Sequence, residues 1–342
     1  MLFNNRFFLL YMICGILLFS CASTKKESNK SIPLWVDSQT LYQVFPQEDF
    51  IACVGSANTE ENARLNSDAE LASYFYKSVS VQTLATEIMK NNDEAMTISR
   101  SIDREIQISS QTEFVALHHT EPYFNTTNNR YIVCAYIEKK EAWQVLKPKL
   151  ISESSAIENA YKKSQVENEL FQKIVLLNEV KNHSKHFYDI YYQAVAILPE
   201  EAESFSKYDK MIQSVQIELK ELKPYANISI RIQNDKTNRV KTKLSEVFSE
   251  EGFSIVYGAS LYFLDVKIEH EISEIEEAFV SYPNISIEIK KNNGKSISSW
   301  AKQIPKVAAY TKESCERMAI NQIEKELDTV FINEVLNNRS SK

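Results

Sequence analysis

The sequence predicts an α+β protein in which two small α+β sheet domains are joined by a helical hairpin. Three observations carry this expectation. Two strand-like runs, Asp49–Gly55 and Arg130–Ile137, enclose an alanine-spaced helical stretch. From Ser154 to Leu222 the chain turns rich in Glu, Lys, Gln and Ala, with apolar residues at helical intervals. Beyond Pro224 strict alternation takes over, in Asn227–Gln233 and again in Tyr282–Lys290. At 342 residues, 44% hydrophobic and 25% charged, the chain has apolar content for about two cores.

The N-terminus reads as an address. Arg6 is followed by the uncharged run Phe7–Phe19, shorter than the roughly 20 helical residues that cross a bilayer core. It fits the apolar part of a secretory signal. Residues 1–20 are therefore expected to be a signal peptide, and residues 21–31 a flexible tether rich in Ser, Lys and Asn. The string Leu18-Phe19-Ser20-Cys21 resembles the lipobox of bacterial lipoproteins, with Phe19 bulkier than usual at the second position. The resemblance implies acyl chains on Cys21, palmitate among them, and cleavage before it. Several acyl chains on one cysteine would anchor the body durably, whereas one alone is marginal. Ala22, in place of an acidic residue, resembles the enteric outer-membrane address; the periplasmic or surface face stays open. The mature chain keeps Cys53, Cys134 and Cys315 besides Cys21, an odd set and no disulfide framework. Cys53 and Cys134 lie in strand-like runs that could face each other, yet buried free thiols are the stronger expectation.

The first domain is expected at 32–149. Ile32-Pro33-Leu34-Trp35-Val36 opens it, and Asp49–Gly55 reads as a buried strand. Asn58 and Glu61 approximate a capping box for a helix reaching about Asn91. Leu65, Ala69, Ala72, Tyr76 and Val79 fall on one face of that helix and are expected to point inward. Ile106, Ile108, Ser110, Thr112 and Phe114 share a face of a strand running to His119, and Asn125–Asn129 is a polar turn. The helical hairpin is expected at 150–222. Its first helix carries Ile157, Tyr161, Leu170, Ile174 and Leu177, and its second starts at Pro199-Glu200-Glu201. The apolar repeat is too broken for a coiled coil. The C-terminal domain is expected at 223–342. A helix spans about Thr237–Glu251, ended by Gly252. Strands follow at Phe253–Tyr257, Ala259–His270 and Tyr282–Lys290. Asn292-Asn293-Gly294 turns the last of these into Lys295–Trp300, and a helix at Lys312–Asn337 buries Ile320, Ile323, Leu327, Val330, Phe331 and Val335. The order β-α-β-β-β-β-α implies an open sheet with helices on one face.

Taken together, Pro33-x-Trp35-Val36, Phe50-Ile51-Ala52-Cys53-Val54-Gly55-Ser56-Ala57, the alanine-spaced helix and Arg130-Tyr131-Ile132-Val133-Cys134-Ala135-Tyr136-Ile137-Glu138-Lys139 resemble the Lpp-twenty-type lipoprotein family. That family includes the related first module of flagellar assembly protein T. The resemblance covers about a third of the chain. It implies a small α+β module on envelope lipoproteins, some of them serving flagellar or secretion structures, without catalytic residues to carry over. The C-terminal element order faintly resembles periplasmic assembly modules of envelope lipoproteins.

Chemistry-bearing patterns are sparse. Net charge is −7, which lacks the basic footprint of nucleic-acid binding. Only 5 glycines occur, far below the usual share of about 7%. Gly15, Gly55, Gly252, Gly258 and Gly294 form neither a G-x-G-x-x-G nor a Walker loop, so no nucleotide cofactor is expected. His118 and His119 are strand neighbours on opposite faces and cannot chelate together. His183 and His186 are three apart on a helix without a third ligand, so no metal is expected. His270-Glu271-Ile272-Ser273-Glu274 lacks the second histidine of a zincin. Gly55-Ser56 reads as a tight strand-to-helix turn without a nucleophile elbow. Glu60-Glu61, Glu200-Glu201, Glu250-Glu251 and Glu276-Glu277 read as helix-end or solvated acids. Phe187-Tyr188-x-x-Tyr191-Tyr192 reads as helix packing, with an aromatic contact patch as the alternative.

The expected function is therefore a non-enzymatic, lipid-anchored envelope scaffold or interaction module, with no catalytic residue and Cys21 as its one site. Its partners are a membrane and other envelope proteins. The alternative is a ligand- or glycan-binding lipoprotein with a groove between sheet and helical hairpin. A hydrolase with dispersed residues is the third class, and it requires a cleft of convergent titratable groups.

Overall fold

Apolar alternation and helix-permissive sequence together build the first layer of the computed structural model, which describes residues 32–88 and 114–336. In chain order these are β1 (Phe50–Ala57), helix α1 (Glu60–Ile88), β2 (Leu117–His119), β3 (Tyr123–Asn125) and β4 (Arg130–Glu138). β4 is central: β1 pairs with it antiparallel without a break, from Phe50↔Glu138 to Ala57↔Tyr131, while β2 and β3 pair along its other side. Thr59 rather than Asn58 caps α1, its Oγ1 accepting from Asn62 N at 3.2 Å. One sheet face, with Ile51, Ala135 and Ile137, packs toward Leu71 and Phe75 of α1 and the helices beyond. The other face, with Cys134, is covered by Leu41, Phe45 and Trp35 from the segment before β1. The signal peptide, the tether with Cys21, and the expected strand residues Ile106, Ile108, Ser110 and Thr112 lie outside the described residues.

The helical part differs from a hairpin. It comprises α2 (Lys139–Val166), α3 (Leu170–Ile197) and α4 (Ser206–Tyr225), and it begins directly at the end of β4 rather than at residue 150. Lys139 N donates to Asp49 O at 2.8 Å, so strand and helix join without a turn. Pro148 lies inside α2, where its missing N–H removes one helical hydrogen bond, the one to Gln144 O. The single helix expected through Ile157 and Leu177 is two helices. The polar Glu167-Asn168-Glu169 breaks it, and Glu169 caps α3 by accepting from Gln172 N at 2.8 Å.

The C-terminal part adds β5 (Ile228–Gln233), α5 (Arg239–Glu250), β6 (Tyr262–Glu269), β7 (Ile272–Ile275), β8 (Ala278–Ser281), β9 (Asn284–Lys291), β10 (Ser296–Gln303), β11 (Val307–Ala309) and α6 (Lys312–Glu326). α6 continues through a π turn, Leu327–Phe331, into a last turn at Ile332–Val335. The main sheet runs β10-β9-β6-β5, with β5 parallel to β6 across α5 and the remaining pairs antiparallel. A second sheet, β11-β8-β7, is an addition to the expected single one. Its hairpin hides in the acidic stretch Glu274–Glu277, where Glu276 turns the chain with φ 56°. Phe253–Tyr257 is not a strand: only Ile255 bridges Ile228, because Gly252 (φ 89°) and Gly258 (φ 112°) bend the chain on either side. One contiguous apolar core runs from Ile51 in β1 through α2, α3 and α4 to Leu336, so the first sheet and the main C-terminal sheet share a core, while β11-β8-β7 packs with α6 in a smaller cluster.

Candidate functional site

Three of the histidines that the sequence singles out, His118, His119 and His183, are each tied to an acid from another element. His118 Nε2 is 3.0 Å from Glu141 Oε2 of α2, and its ring stacks on Tyr136 at 5.5 Å. His119 points to the opposite face, 2.6 Å from Asp68 Oδ1 of α1. His183 Nδ1 contacts Glu153 Oε2 of α2 at 2.8 Å, so it links two helices rather than turning to His186. Among the described residues no three His, Cys, Asp or Glu side chains gather as a metal site.

Gly55 and Ser56 are not a turn but lie within β1. A Cβ on Gly55 would sit 2.1 Å from Ser67 N and 2.5 Å from Ala63 O, so the α1 backbone lies directly on this residue. Ser56 Oγ accepts from Arg130 Nη1 at 3.4 Å and Ser56 O from Asn66 Nδ2 at 2.9 Å. The thiols are free. Cys53 lies opposite Ala135 and Cys134 opposite Val54. Cross-strand partners share a face and neighbours alternate, so the two thiols occupy opposite faces of the sheet and do not face each other. Burial pushes Cys53 up to about 11 and Cys134 up to about 12.

The aromatic run packs. Phe187 stacks on Tyr191 at 5.1 Å and Tyr188 on Tyr192 at 5.4 Å, and the Tyr188 hydroxyl donates to Asp209 Oδ1 at 2.8 Å. Phe187 and Tyr188 are buried. The acid pairs separate in role: Glu60-Glu61 and Glu200-Glu201 occupy first helical turns, while Glu251 takes the buried Lys223 ammonium at 3.1 Å. Desolvation holds Lys223 below the usual lysine range, against the pull of Glu251.

Two surfaces remain. On α1, Ala63, Ser67, Leu71 and Phe75 are buried, so the face with Leu65, Ala69, Ala72 and Tyr76 points outward; Leu65 is 58% and Tyr76 49% exposed. On the solvent side of the C-terminal sheet lies an open groove of about 590 Å³. Register aligns Arg231, Asp265, Glu288 and Ser299 across its four strands. Lys290 Nζ bridges Asp265 at 3.0 Å and Glu288 at 2.8 Å, and the Arg231 guanidinium lies 3.5 Å over the Phe263 ring. This groove faces away from the helices, not between sheet and hairpin, and its lining mixes charged side chains with apolar surface. Strand alternation points each of these residues outward. Which strands stand side by side was not readable, so the row across them was missed.

No protein-family model matches the chain, and no curated protein matches it in sequence. Solved structures that resemble it include a secreted protein of Helicobacter pylori, 13% identical, with a TM-score of 0.36, covering 83% of this chain and 100% of that one. A minor lipoprotein of Acinetobacter baumannii is 12% identical, with a TM-score of 0.27, over 34% of this chain and 93% of that one. A lipoprotein of Neisseria meningitidis is 14% identical, with a TM-score of 0.20, over 29% of this chain and 99% of that one. No described helix is long and apolar enough to cross a membrane.

Proposed function

We propose that this chain is a lipid-anchored envelope protein that works by contact and not by catalysis. Acyl chains on Cys21 hold it at a membrane, taken as the outer one from Ala22, and residues 22–31 let the body reach other envelope proteins. The outward apolar stripe of α1 carries this reading: Leu65, Ala69, Ala72 and Tyr76 lie on the folded unit that follows the tether, where an exposed apolar patch marks a contact surface. The histidine–carboxylate pairs support it, since each is spent on joining elements. Two experiments test the two halves. Labelled palmitate should mark the wild type and not Cys21→Ala, which should leave the membrane fraction; retained label overturns the attachment. Capture from crosslinked cells should recover envelope proteins with the wild type and fewer with Leu65→Lys/Tyr76→Lys, and equal recovery overturns the contact surface.

Binding of a small polar ligand is the second reading, and the groove of about 590 Å³ favours it. A thermal shift with polar small molecules that Arg231→Ala abolishes would support it.

A further inference from the structure

The free edge of β1 carries the inference. Cys134 N donates to Thr120 Oγ1 and Thr120 N donates to Cys134 O, each at 3.0 Å, so the Cys134 backbone faces away from β1. In an antiparallel ladder a residue's N–H and C=O point to the same side, and sides alternate along the strand. Tyr131, Val133, Ala135 and Ile137 therefore bond β1 through Ala57, Gly55, Cys53 and Ile51. The backbone groups of Phe50, Ala52, Val54 and Ser56 consequently point outward. Phe50 N is taken by Pro46 O at 2.8 Å and Ser56 O by Asn66 Nδ2 at 2.9 Å. Both groups of Ala52 and Val54, the Phe50 C=O and the Ser56 N–H meet no partner among the described residues.

Exposed edges pair with other strands unless charge, proline, bulges or shortness prevents it. The other long edges are protected. β10 has a register shift between Ser296 and Ser298 and carries Lys302, and β5 carries Arg231 and is bridged by Ile255. β1 has eight residues, no charge, no proline and an unbroken register.

We propose that β1 pairs antiparallel with β1 of a second copy of this chain, Cys53 lying opposite Cys53 on the two-fold axis. In that register Ala52 and Val54 of the second copy exchange both hydrogen bonds, and so do Val54 and Ala52. The Ser56 N–H of each copy meets the Phe50 C=O of the other. The two groups left out of this ladder are those already bonded within the chain. A shift by one pair either way forces Phe50 N or Ser56 O into the ladder and breaks an existing bond. The Arg130 guanidinium rests on Ser56 Oγ at one end of β1, and Asp49, 3.4 Å from Lys140 Nζ of its own chain, stands at the other. The two-fold brings each to its opposite.

This inference stands apart from the acyl anchor. Sedimentation of the full chain in detergent should give a dimer, and Cys21→Ala should dimerise as well. Val54→Pro and Ala52→Pro each delete an outward N–H and spare every bond to β4, a placement edge strands tolerate. Each should raise the dimer Kd about tenfold or more, since two copies lose the bond, with circular dichroism unchanged. If a proline variant fails to fold, Arg130→Glu takes its place, expected to weaken the dimer through Asp49. A wild-type monomer at micromolar concentration overturns the proposal, as does a dimer indifferent to the folded variants.

Discussion

Gly55 decides where α1 lies, because the helix backbone occupies the space a side chain would need. Ala63 and Ser67 face it because they are small, and the buried Ser67 hydroxyl satisfies itself on Arg64 O at 2.7 Å. Gly55→Ala should therefore cost about 3 kcal/mol, the upper part of the overpacking range, read from the urea midpoint. Ala69→Ser, on the outward face, should leave that midpoint within about 0.5 kcal/mol. The thiols give a pH dependence. In the unfolded chain a thiol ionises near about 8.5, while burial holds Cys53 to about 11 and Cys134 to about 12 in the fold. Above the lower value the unfolded chain has lost protons that the folded chain retains, so stability is whole below it and falls as pH climbs toward the higher ones. Tyr191, pushed up to about 12 by burial, acts in the same sense, and Lys223, lowered by desolvation, acts against it. Urea midpoints at about pH 8 and pH 10 should diverge in the wild type and diverge less in Cys53→Ala/Cys134→Ala, where Cys315, also raised by burial, remains.

At the scale of elements, sequence legibility depended on what each helix or strand packs against. β6 and β9 were readable because they alternate against a helix-covered face, and β4 because its apolar run is buried on both faces. The face of α1 was misread: hydrophobicity favours Leu65 and Tyr76 inward, but close approach at Gly55 selects Ala63 and Ser67. Nothing local to the helix announces that; the signal sits in the strand before it. The docking of α3 on the C-terminal sheet was equally hidden, since it joins residues far apart. The Tyr262 hydroxyl donates to Glu169 Oε1 at 2.5 Å and accepts from Phe171 N at 3.1 Å, and Lys291 Nζ stands 3.4 Å from the same carboxylate. Burial first, then the hydrogen bond to Glu169 and its charge, pushes the Tyr262 hydroxyl far above its ordinary range. Glu169→Ala removes the α3 cap and strands that hydroxyl, an expected loss of about 2–3 kcal/mol. Glu169→Gln keeps an oxygen acceptor at one of the two places, its amide NH2 taking the other, and should recover part of that loss in the same denaturation measurement.

At the scale of the whole molecule, the apolar core crosses the boundaries that composition suggests. A shift from strand-like to Lys- and Glu-rich texture near Ser152 reads as a domain change, yet Leu146, Leu150 and Ile157 of α2 and Phe171, Ile174 and Leu177 of α3 are fully buried in the core that also holds Ile51 and Ile287. Helices that fill a shared interior cannot be a loose spacer between two independent units. Unfolding one sheet exposes the helix faces that stabilise the other, so the described body should melt in one cooperative step. Trp143 in α2 packs against this core, as does Trp300 in β10, whose indole N–H donates to Glu334 Oε2 at 2.6 Å. Their fluorescence, read separately in Trp35→Phe/Trp143→Phe and Trp35→Phe/Trp300→Phe, should report the urea midpoint that far-UV circular dichroism gives. Leu177→Ala opens a cavity at the centre of this interior, so it should lower every midpoint together by about 2–5 kcal/mol. Two separated transitions, with Leu177→Ala moving only one, would show that the sheets hold independent cores after all.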